Sequence, residues 1–444
     1  MHITDINTAS PPLSVIRIEI ERLFGRYTYI LTRKDNVPQI DSSLTILYGD
    51  NGSGKTTVLK LLFHLLSPKQ ECGHYLFLAQ TPFSRFSVLL ANGTSIIATR
   101  TDGNLLGTFQ LQLLQGSYLF KETIQVEADN RATDRQDYEF YKHLTKLQLN
   151  LFLLDDDRLL KSDFFEEKTI EYQRKSIKSF LVIDPFCDDK TSITREAALK
   201  LSITRTEEWI REQALKGANQ GAENIHSIYE DIITQIIRSS GKIDDFSQSS
   251  QSMDILINEL KSYEIRSKEF SHFGLMSPLM TQKIVQILQL NPQVNDSIIS
   301  SILKPYLDSI AARFNALQHT KDLLSLFENT INKFFHDKYI RLHIKDGIRI
   351  VTDTGQELFS EMLSSGEKQL LLLFCNTLTA RDKATIFIID EPEISLNVKW
   401  QRQLIRALLE LTKDSQIQFI VATHSIELLS QYKNNVIKLA NIGK

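Results

Sequence analysis

The sequence is 444 residues long, 42% hydrophobic and 24% charged, with a formal net charge of −3. A chain of this length has room for two or three domains, and its composition is that of an ordinary soluble globular protein. The charge balance excludes a globally basic surface of the kind that binds nucleic acid, although charges can still concentrate on one face.

The cysteines and the apolar runs limit the cellular setting. Cys72, Cys187 and Cys375 are scattered, odd in number and without metal-ligand spacing, which indicates reduced thiols in a reducing compartment. The N-terminus lacks the basic-then-apolar pattern of a signal peptide, and no apolar run approaches the roughly 20 residues of a membrane helix. We therefore expect a cytoplasmic protein that does not bind a membrane.

The first predicted elements are two strands. Residues 15–20 alternate apolar and polar side chains, and a second extended run at 27–32 follows the turn at Gly25. Two interpretations stay open for the turn: Arg26 or Tyr27 reaches a nucleotide base, or Arg26 is a solvated turn residue.

Residues 48–57, YGDNGSGKTT, are the most informative stretch of the sequence. Gly49 and Gly54, with four residues between them and followed by Lys55 and Thr56, match the Walker A pattern. In this pattern the glycines turn backbone N–H groups onto phosphates, the lysine reaches the outer phosphates and the threonine hydroxyl binds Mg²⁺. The apolar run before the loop predicts a buried strand, and the run after it predicts a helix whose dipole favours an anion. The loop therefore predicts nucleotide binding.

Strand signals continue beyond the Walker A helix. Residues 86–100 contain two apolar runs on either side of an Asn-Gly pair, which is a strong hairpin signal. A predicted buried strand then ends at Leu154, and Asp155, Asp156, Asp157 and Arg158 follow it. Strand ends beside a phosphate loop form ligand sites in open α/β sheets, so these polar residues are site candidates.

From about residue 161 to 337, apolar residues at helical spacing replace the strand patterns, as at Ile310, Phe314 and Leu317. We interpret these stripes as core packing. Serine-rich residues 239–254 predict a mobile loop. Glycine and proline interruptions argue against a long coiled coil and favour a compact helical bundle; they are Gly217, Gly221, Gly241, Pro278, Pro292 and Pro305.

Strand signals return at residues 339–358, which fold back at an Asp-Gly pair. The sequence LSSGEKQLLLLF follows from Leu363, and small residues up to Gly366 predict the start of a helix. Two interpretations of that start stay open. Either Ser364 or Ser365 caps the helix, or its exposed N–H groups bind an anion.

Two further strand ends carry polar residues. ATIFIIDEPE, residues 384–393, matches the Walker B pattern, in which a strand beside the phosphate loop would bring Asp390 to Mg²⁺ and Glu391 to the attacking water. QFIVATH, residues 418–424, predicts another buried strand that ends at His424, which can hydrogen-bond a γ-phosphate or that water. A lone histidine at a strand end is usually structural, but its place beside a phosphate loop favours a catalytic role.

Five motifs in this order resemble those of the ABC-type ATPases: GDNGSGKT, LSSGE, FIIDE, SLN and ATH. The sequences EPEISL and QFIVATHS resemble the RecF, SMC and OLD-type ATPases more than transporter subunits. The resemblance implies an α/β fold, a P-loop ABC-ATPase head split by a largely helical insertion. It implies an N-terminal ATPase lobe with a β-hairpin subdomain at 1–160, the insertion at 161–337 and a C-terminal ATPase lobe at 338–444.

The resemblance also implies a role for each site residue. Glu391 is expected to be the general base and His424 the switch histidine, with Thr56 and Asp390 on Mg²⁺. The residues expected to bind ATP are Asn51, Gly52, Ser53, Gly54, Lys55, Thr56 and Thr57 of one chain, with Ser364 and Gly366 of the opposite chain.

Two positions depart from the family pattern. Asn397, in SLN, stands where an aspartate often closes the loop between subunits. The aspartates at 155–157 follow a strand that, in the double-strand-break-repair ATPases, ends in a metal-contacting glutamine. Which aspartate takes the place of that glutamine stays open, and Arg158 is left to face the nucleotide or the partner chain.

The whole-chain pattern most resembles the stand-alone ATPases of prokaryotic anti-phage systems, such as PtuA-like and AriA-like ATPases. This implies an ATP-binding and ATP-hydrolysing sensor and scaffold that needs ATP and Mg²⁺. It also implies a homodimer or higher oligomer through ATP-sandwiched heads, with a separate nuclease as effector, since the twenty residues after His424 leave no room for a C-terminal Toprim domain. The alternatives are a RecF/SMC-like DNA repair or recombination ATPase and, less favoured, an ABC transporter energy subunit. Contact with DNA stays open.

Overall fold

The computed structural model describes residues 13–32, 43–69, 73–100, 103–126, 138–155, 160–163, 181–182, 192–193, 195–239, 253–290, 296–393 and 398–442. The chain divides into two compact units. The first comprises Met1–Leu201 with Ser364–Lys444, and the second comprises Ser202–Leu363.

Strands and α-helices alternate irregularly along the chain. The strands are β1 (Val15–Leu23), β2 (Tyr27–Thr32), β3 (Leu44–Tyr48), β4 (Arg85–Leu90), β5 (Ser95–Arg100), β6 (Phe109–Gln115), β7 (Tyr118–Ile124), β8 (Asn150–Leu154), β9 (Leu160–Asp163), β10 (Leu181–Val182), β11 (Ser192–Ile193), β12 (Lys338–His343), β13 (Gly347–Thr352), β14 (Glu357–Leu358), β15 (Thr385–Asp390), β16 (Ile417–Ala422) and β17 (Val436–Lys438). The α-helices are α1 (Lys55–Leu66), α2 (His74–Gln80), α3 (Glu139–Lys146), α4 (Arg195–Ser239), α5 (Met253–His272), α6 (Gln282–Leu290), α7 (Asp296–Phe334), α8 (Ser365–Thr379), α9 (Val398–Leu411) and α10 (Ile426–Gln431).

An antiparallel sheet in the first unit has the strand order β2-β1-β4-β5-β6-β7. The predicted N-terminal pair is confirmed, because β1 and β2 pair antiparallel with Ile18 opposite Leu31. The predicted hairpin at 86–100 is also confirmed, and Gly93 takes the left-handed conformation (φ 83°) that its turn requires. Strands β6 and β7 extend the sheet beyond what the sequence patterns predicted.

A second, mainly parallel sheet holds the chain segments that carry the Walker motifs. Its order is β17-β3-β16-β15-β8-β9, and only β9 pairs antiparallel to its neighbour. All six residues of β15 and of β16 are buried, as expected for a parallel sheet that is covered on both faces. Strand β16 pairs with both β3 and β15 and lies between them, an order that the sequence patterns did not predict.

The second unit is built around long helices. The predicted core residues Ile310, Phe314 and Leu317 are buried on α7. However, α4 is 45 residues long and runs through Gly217 and Gly221, and α7 is 39 residues long and contains Pro305. The expectation that these residues interrupt the helices is therefore wrong.

Packing explains the glycine at position 217. A Cβ atom there would lie 2.7 Å from Leu317 Cδ2 and 3.1 Å from the Ala316 carbonyl oxygen, so Gly217 lets α4 approach α7 closely. Pro278 does lie between helices, as predicted. Gly241, Pro292 and nearly all of the predicted mobile loop at 239–254 lie outside the described residues.

The hairpin β12–β13, which the Asp-Gly pair predicted, is confirmed, and β14 extends it to a three-stranded sheet. The side chain of Asn332, on α7, accepts from the Ile340 N–H (2.7 Å) and donates to the Ile340 carbonyl (3.1 Å). Glu328, one helical turn earlier, accepts from the Leu342 N–H at 2.9 Å. These bonds join the hairpin to the helices, so it belongs to the second compact unit, whereas the sequence assigned it to the C-terminal lobe.

Three short strands bear on the predicted boundary at 160. Strand β9 crosses the predicted boundary at 160, β10 and β11 lie within the first 35 residues of the predicted helical insertion, and all three belong to the first unit. The boundaries at 160 and 337 stay predictions. Among the described residues, no helix is long and apolar enough to cross a membrane.

Candidate nucleotide site

The loop between β3 and α1 has a backbone that only glycine adopts easily. Gly52 and Gly54 have φ angles of 78° and 87°, in the left-handed region. A Cβ atom on Gly54 would lie 3.0 Å from Leu23 Cδ2, and one on Gly49 would lie 2.8 Å from Ser53 Oγ. The glycines therefore permit both the turn and its close packing.

Helix α1 begins at Lys55 with Gly54 as its N-cap residue, and no side chain among the described residues caps this end. The first N–H groups of an α-helix have no carbonyl partner within the helix, and its dipole favours negative charge at that end. The structure thus places N–H groups that have no partner within the helix where the Walker A pattern predicts phosphates.

Lys55 lies over this loop. Its side chain is buried, and Nζ donates to the carbonyl oxygens of Gly49 (2.9 Å) and Asp50 (3.3 Å). Burial lowers the pKa of Lys55, while the carboxylates of Glu391, Asp390 and Asp50 act in the opposite direction. The lysine is therefore electrostatically coupled to the acids of the Walker B strand.

Tyr29, on β2, supports the loop through a hydrogen bond. Its hydroxyl donates to the Ser53 carbonyl oxygen at 2.8 Å. Burial, with the neighbouring Tyr27, raises the pKa of Tyr29 to about 12, so the hydroxyl stays protonated and can donate. The Arg26 guanidinium lies 4.6 Å from the centroid of the Tyr27 ring and is exposed. The solvated turn predicted for Arg26 agrees with this geometry, and contact with a base stays a prediction.

The Walker B residues follow β15. Asp390 is the last residue of the strand and is 5% exposed. Glu391 comes next with a φ of 46°, which is unusual for a residue other than glycine and more so before a proline. Its N–H donates to the Ala422 carbonyl at the end of β16 (2.8 Å), so a backbone hydrogen bond helps to hold this conformation.

His424 lies two residues beyond the end of β16. Its Nε2 atom is 3.8 Å from Glu391 Oε1, and both side chains are about one-third exposed. The parallel pairing of β15 with β16, Asp390 opposite Ala422, brings these residues together although they are far apart in sequence. The structure thus joins Lys55, Asp390, Glu391 and His424 at one edge of the parallel sheet, as the motifs predicted.

Glu393 makes hydrogen bonds that motif analysis did not predict. Its Oε1 atom accepts from Thr423 Oγ1 (2.6 Å), the His424 N–H (3.0 Å) and the Ser425 N–H (3.1 Å). The side-chain amide of Gln401, on α9, donates to the Glu393 carbonyl oxygen at 3.3 Å. This cluster depends on the parallel register of two strands that are distant in sequence. The second glutamate of EPE was the single signal for it in the sequence.

The LSSGE segment forms the start of α8. Ser364 is the N-cap residue and makes a capping box with Glu367: the serine Oγ accepts from the Glu367 N–H, and the glutamate accepts from the Ser364 N–H at 2.8 Å. The capped helix start is confirmed. Ser364 and Ser365 are exposed and Gly366 is buried. The contact of Ser364 and Gly366 with a nucleotide stays a prediction.

Asp155 follows β8 and is bound by lysines. Its buried carboxylate lies 2.9 Å from Lys60 Nζ, on α1, and 3.4 Å from Lys161 Nζ. The Asp155 carboxylate thus forms an ion pair with the helix that follows the phosphate loop. Asp156, Asp157, Arg158 and Asn397 lie outside the described residues, and their roles stay predictions.

Comparisons with known proteins agree with this geometry. The family model described as "AAA ATPase domain" matches residues 34–429. The comparison with curated proteins gave no match. Among solved structures, an Smc head domain from Pyrococcus furiosus, bound to the C-terminal domain of ScpA, is 14% identical with a TM-score of 0.34, covering 96% of this chain and 92% of that one.

Two further head domains are similar at the same low level. One from Pyrococcus yayanosii is 13% identical (TM-score 0.35; 96% of this chain, 94% of that one), and one from Thermotoga maritima is 11% identical (TM-score 0.31; 94% and 92%). These TM-scores are too low to assign residues or partners to this chain. The family match, by contrast, spans most of it and includes the Walker A loop, the Walker B strand and His424. The chain therefore belongs to the AAA ATPase domain family, and it is an ATP-hydrolysing enzyme with a P-loop α/β fold.

Proposed function

We propose that ATP binds with its phosphates on residues 49–57 and is hydrolysed with Glu391 as general base and His424 beside it. One observation carries this assignment: at the sheet edge where Lys55 begins α1, Glu391 lies 3.8 Å from His424. A cation for the phosphates, a base and a histidine thus meet at the N-terminus of α1, as phosphoryl transfer to water requires.

We include Mg²⁺ in this proposal because the oxygen donors fit it. Mg²⁺ is usually held by one or two protein oxygens together with phosphate and water, not by a cage of carboxylates. The Thr56 hydroxyl, in the first turn of α1, and the buried Asp390 carboxylate are suitable ligands on adjoining elements. When bound, the ion would neutralise charge on the β- and γ-phosphates.

The residues of this chain would then act as follows. Glu391 orients the attacking water and accepts its proton, while Lys55 offsets negative charge on the outer phosphates. His424, beside Glu391, donates a hydrogen bond to the γ-phosphate or to the water. The left-handed backbone of Glu391 supports a special role for this residue, because such a conformation is uncommon outside functional sites.

We further propose that two chains share each active site. Ser364 and the exposed N-terminus of α8 would face the γ-phosphate bound by the partner, so that ATP becomes part of a two-fold interface. The support is the LSSGE sequence together with the exposure of Ser364. Hydrolysis would then open the dimer and so convert a chemical step into a mechanical one.

A mixing experiment tests the shared site. Ser364→Arg should block hydrolysis and spare ATP binding, whereas Lys55→Ala should block binding. A mixed dimer would have one intact site and one site with both lesions, so an equimolar random mixture should recover roughly a quarter of wild-type activity. No recovery, in mixtures that demonstrably co-assemble, would overturn the shared site. Melting temperatures should be measured alongside, because losing the Ser364 cap costs about 1 kcal/mol.

For the biological role, we propose an ATP-dependent sensor and scaffold of a prokaryotic anti-phage complex that holds a separate nuclease. The support is the resemblance of the whole motif pattern. A RecF/SMC-like ATPase acting on DNA is the second candidate, supported by EPEISL and QFIVATHS. Copurifying the chain with the products of its neighbouring genes, with and without ATP, separates the two: a nuclease that elutes with it favours the first, and stable binding to DNA without a nuclease favours the second.

A further inference from the structure

We infer that Glu393 is a positioning residue for ATP hydrolysis, and that its carboxylate fixes His424 beside Glu391. This inference rests on the catalytic roles proposed above for Glu391 and His424. It assigns a function to Glu393, the second glutamate of EPE, which none of the sequence motifs explains.

The hydrogen bonds of Glu393 all lead to the segment that carries His424. Three donors converge on the single oxygen Oε1: the Thr423 hydroxyl at 2.6 Å and the successive N–H groups of His424 and Ser425 at 3.0 and 3.1 Å. Hydrogen bonds to a charged acceptor are about twice as strong as those between neutral groups. The carboxylate therefore holds the backbone of residues 423–425 in one arrangement.

The same segment is fixed from its other sides. Thr423 is fully buried, and its hydroxyl oxygen also accepts from the Ser425 N–H at 2.9 Å. Ser425 caps α10, and its hydroxyl donates to the Gln401 side chain at 3.5 Å. Because Gln401 in turn donates to the Glu393 carbonyl oxygen, the loops after β15 and β16 and the helix α9 form one hydrogen-bonded unit.

This unit determines where the His424 ring can lie. The ring leaves a backbone whose N–H is bound to Glu393, and it ends 3.8 Å from a carboxylate only two residues before Glu393. If Oε1 is removed, the His424 N–H and the buried Thr423 hydroxyl lose their acceptor, and the Ser425 N–H retains only the Thr423 oxygen, so the segment must rearrange to satisfy these donors. A shift of about 1 Å in a catalytic group can reduce turnover about a hundredfold.

The decisive experiment is a double-mutant cycle on steady-state ATP hydrolysis, with Glu393→Ala, His424→Ala and the double variant. We expect Glu393→Ala alone to reduce kcat by about ten- to a hundredfold and to change KM for ATP by less than about threefold. In the His424→Ala background the same change should reduce kcat by less than about twofold, because no histidine remains to be positioned.

A conservative variant separates positioning from folding. Glu393→Gln retains an oxygen acceptor, so it should recover most of the activity that Glu393→Ala loses. Glu410→Ala, which removes a carboxylate from an exposed ion pair with Arg406 on α9, is the control for losing an acidic residue outside this unit. It should leave kcat unchanged.

The outcomes distinguish this inference from the proposal on which it rests. If His424→Ala leaves kcat unchanged, the proposed role of the histidine is wrong. If His424→Ala reduces kcat but Glu393→Ala does not, or if the two effects simply multiply, the histidine role survives and the inference about Glu393 fails. Equal losses in Glu393→Gln and Glu393→Ala, with a lowered melting temperature in both, would also overturn it and leave Glu393 a purely structural residue.

Discussion

The two halves of the nucleotide site are built by different means. At the end of β3 the backbone makes the site, because glycines with φ angles of 78° and 87° form the loop within a single short segment. At the ends of β15 and β16 side chains make it, and they come from two segments joined by parallel pairing. A backbone site depends on local sequence, whereas a side-chain site depends on register.

The largest effect should come from the one side chain that belongs to both halves. Lys55→Ala should abolish ATP binding while leaving the fold intact, because the outer phosphates lose their flexible cation and the loop N–H groups cannot supply a full charge. Calorimetry with ATP measures this, and circular dichroism checks the fold. Wild-type affinity in the variant would mean that the loop is not the phosphate site.

The side-chain half of the nucleotide site can be tested separately by one substitution. Glu391→Gln keeps the size and hydrogen-bonding capacity of the residue but removes the base, so ATP should still bind while turnover falls by about 10²- to 10³-fold. Binding and single-turnover hydrolysis should be measured on the same preparation. Unchanged turnover would move the base elsewhere, with Glu393 and the aspartates at 155–157 as the next candidates.

The difference between the halves also explains what the sequence could predict. The loop at 48–57, its flanking strand and its helix are local signals, and all of them were predicted. The place of β16 between β3 and β15 was not, because burial makes all three strands look alike in sequence and only pairing orders them. The contact of Glu393 with residues 423–425 was missed for the same reason.

In the long helices the sequence prediction was wrong for the opposite reason, because packing outweighed a local signal. Proline and glycine are unfavourable in helix interiors, by about 3 and 1 kcal/mol. Gly217 nevertheless lies inside α4, because a side chain there would collide with Leu317. Such a gain in close packing between distant residues has no signature in a single sequence.

Two glycines of the loop test whether packing, as well as backbone conformation, shapes the phosphate site. Gly52 and Gly54 both have positive φ, but no described atom lies within 4 Å of a Cβ built on Gly52, whereas one on Gly54 meets Leu23 and Phe24 at 3.0 and 3.3 Å. Alanine should cost about 1–2 kcal/mol of left-handed strain at either position, or roughly ten-fold in ATP affinity. Gly54→Ala should weaken binding further because it also displaces its neighbours. Equal affinities for the two variants would show that packing does not shape the loop.

The smallest predicted effect concerns the two ion pairs of Asp155, the residue that follows β8. One of them, with Lys60, joins the end of β8 to α1 and so to the phosphate loop. Asp155 is 3% exposed; its Lys60 partner is 25% exposed and its Lys161 partner 42% exposed. Because screening weakens exposed pairs, Lys60→Met should destabilise the fold by about 1–2 kcal/mol and Lys161→Met by less than about 0.5 kcal/mol. Adding Asp155→Asn to Lys60→Met should restore part of the loss, since the buried charge is then gone. Thermal unfolding of these variants beside the wild type measures this order, and equal losses from the two lysines would show that burial does not rank the pairs.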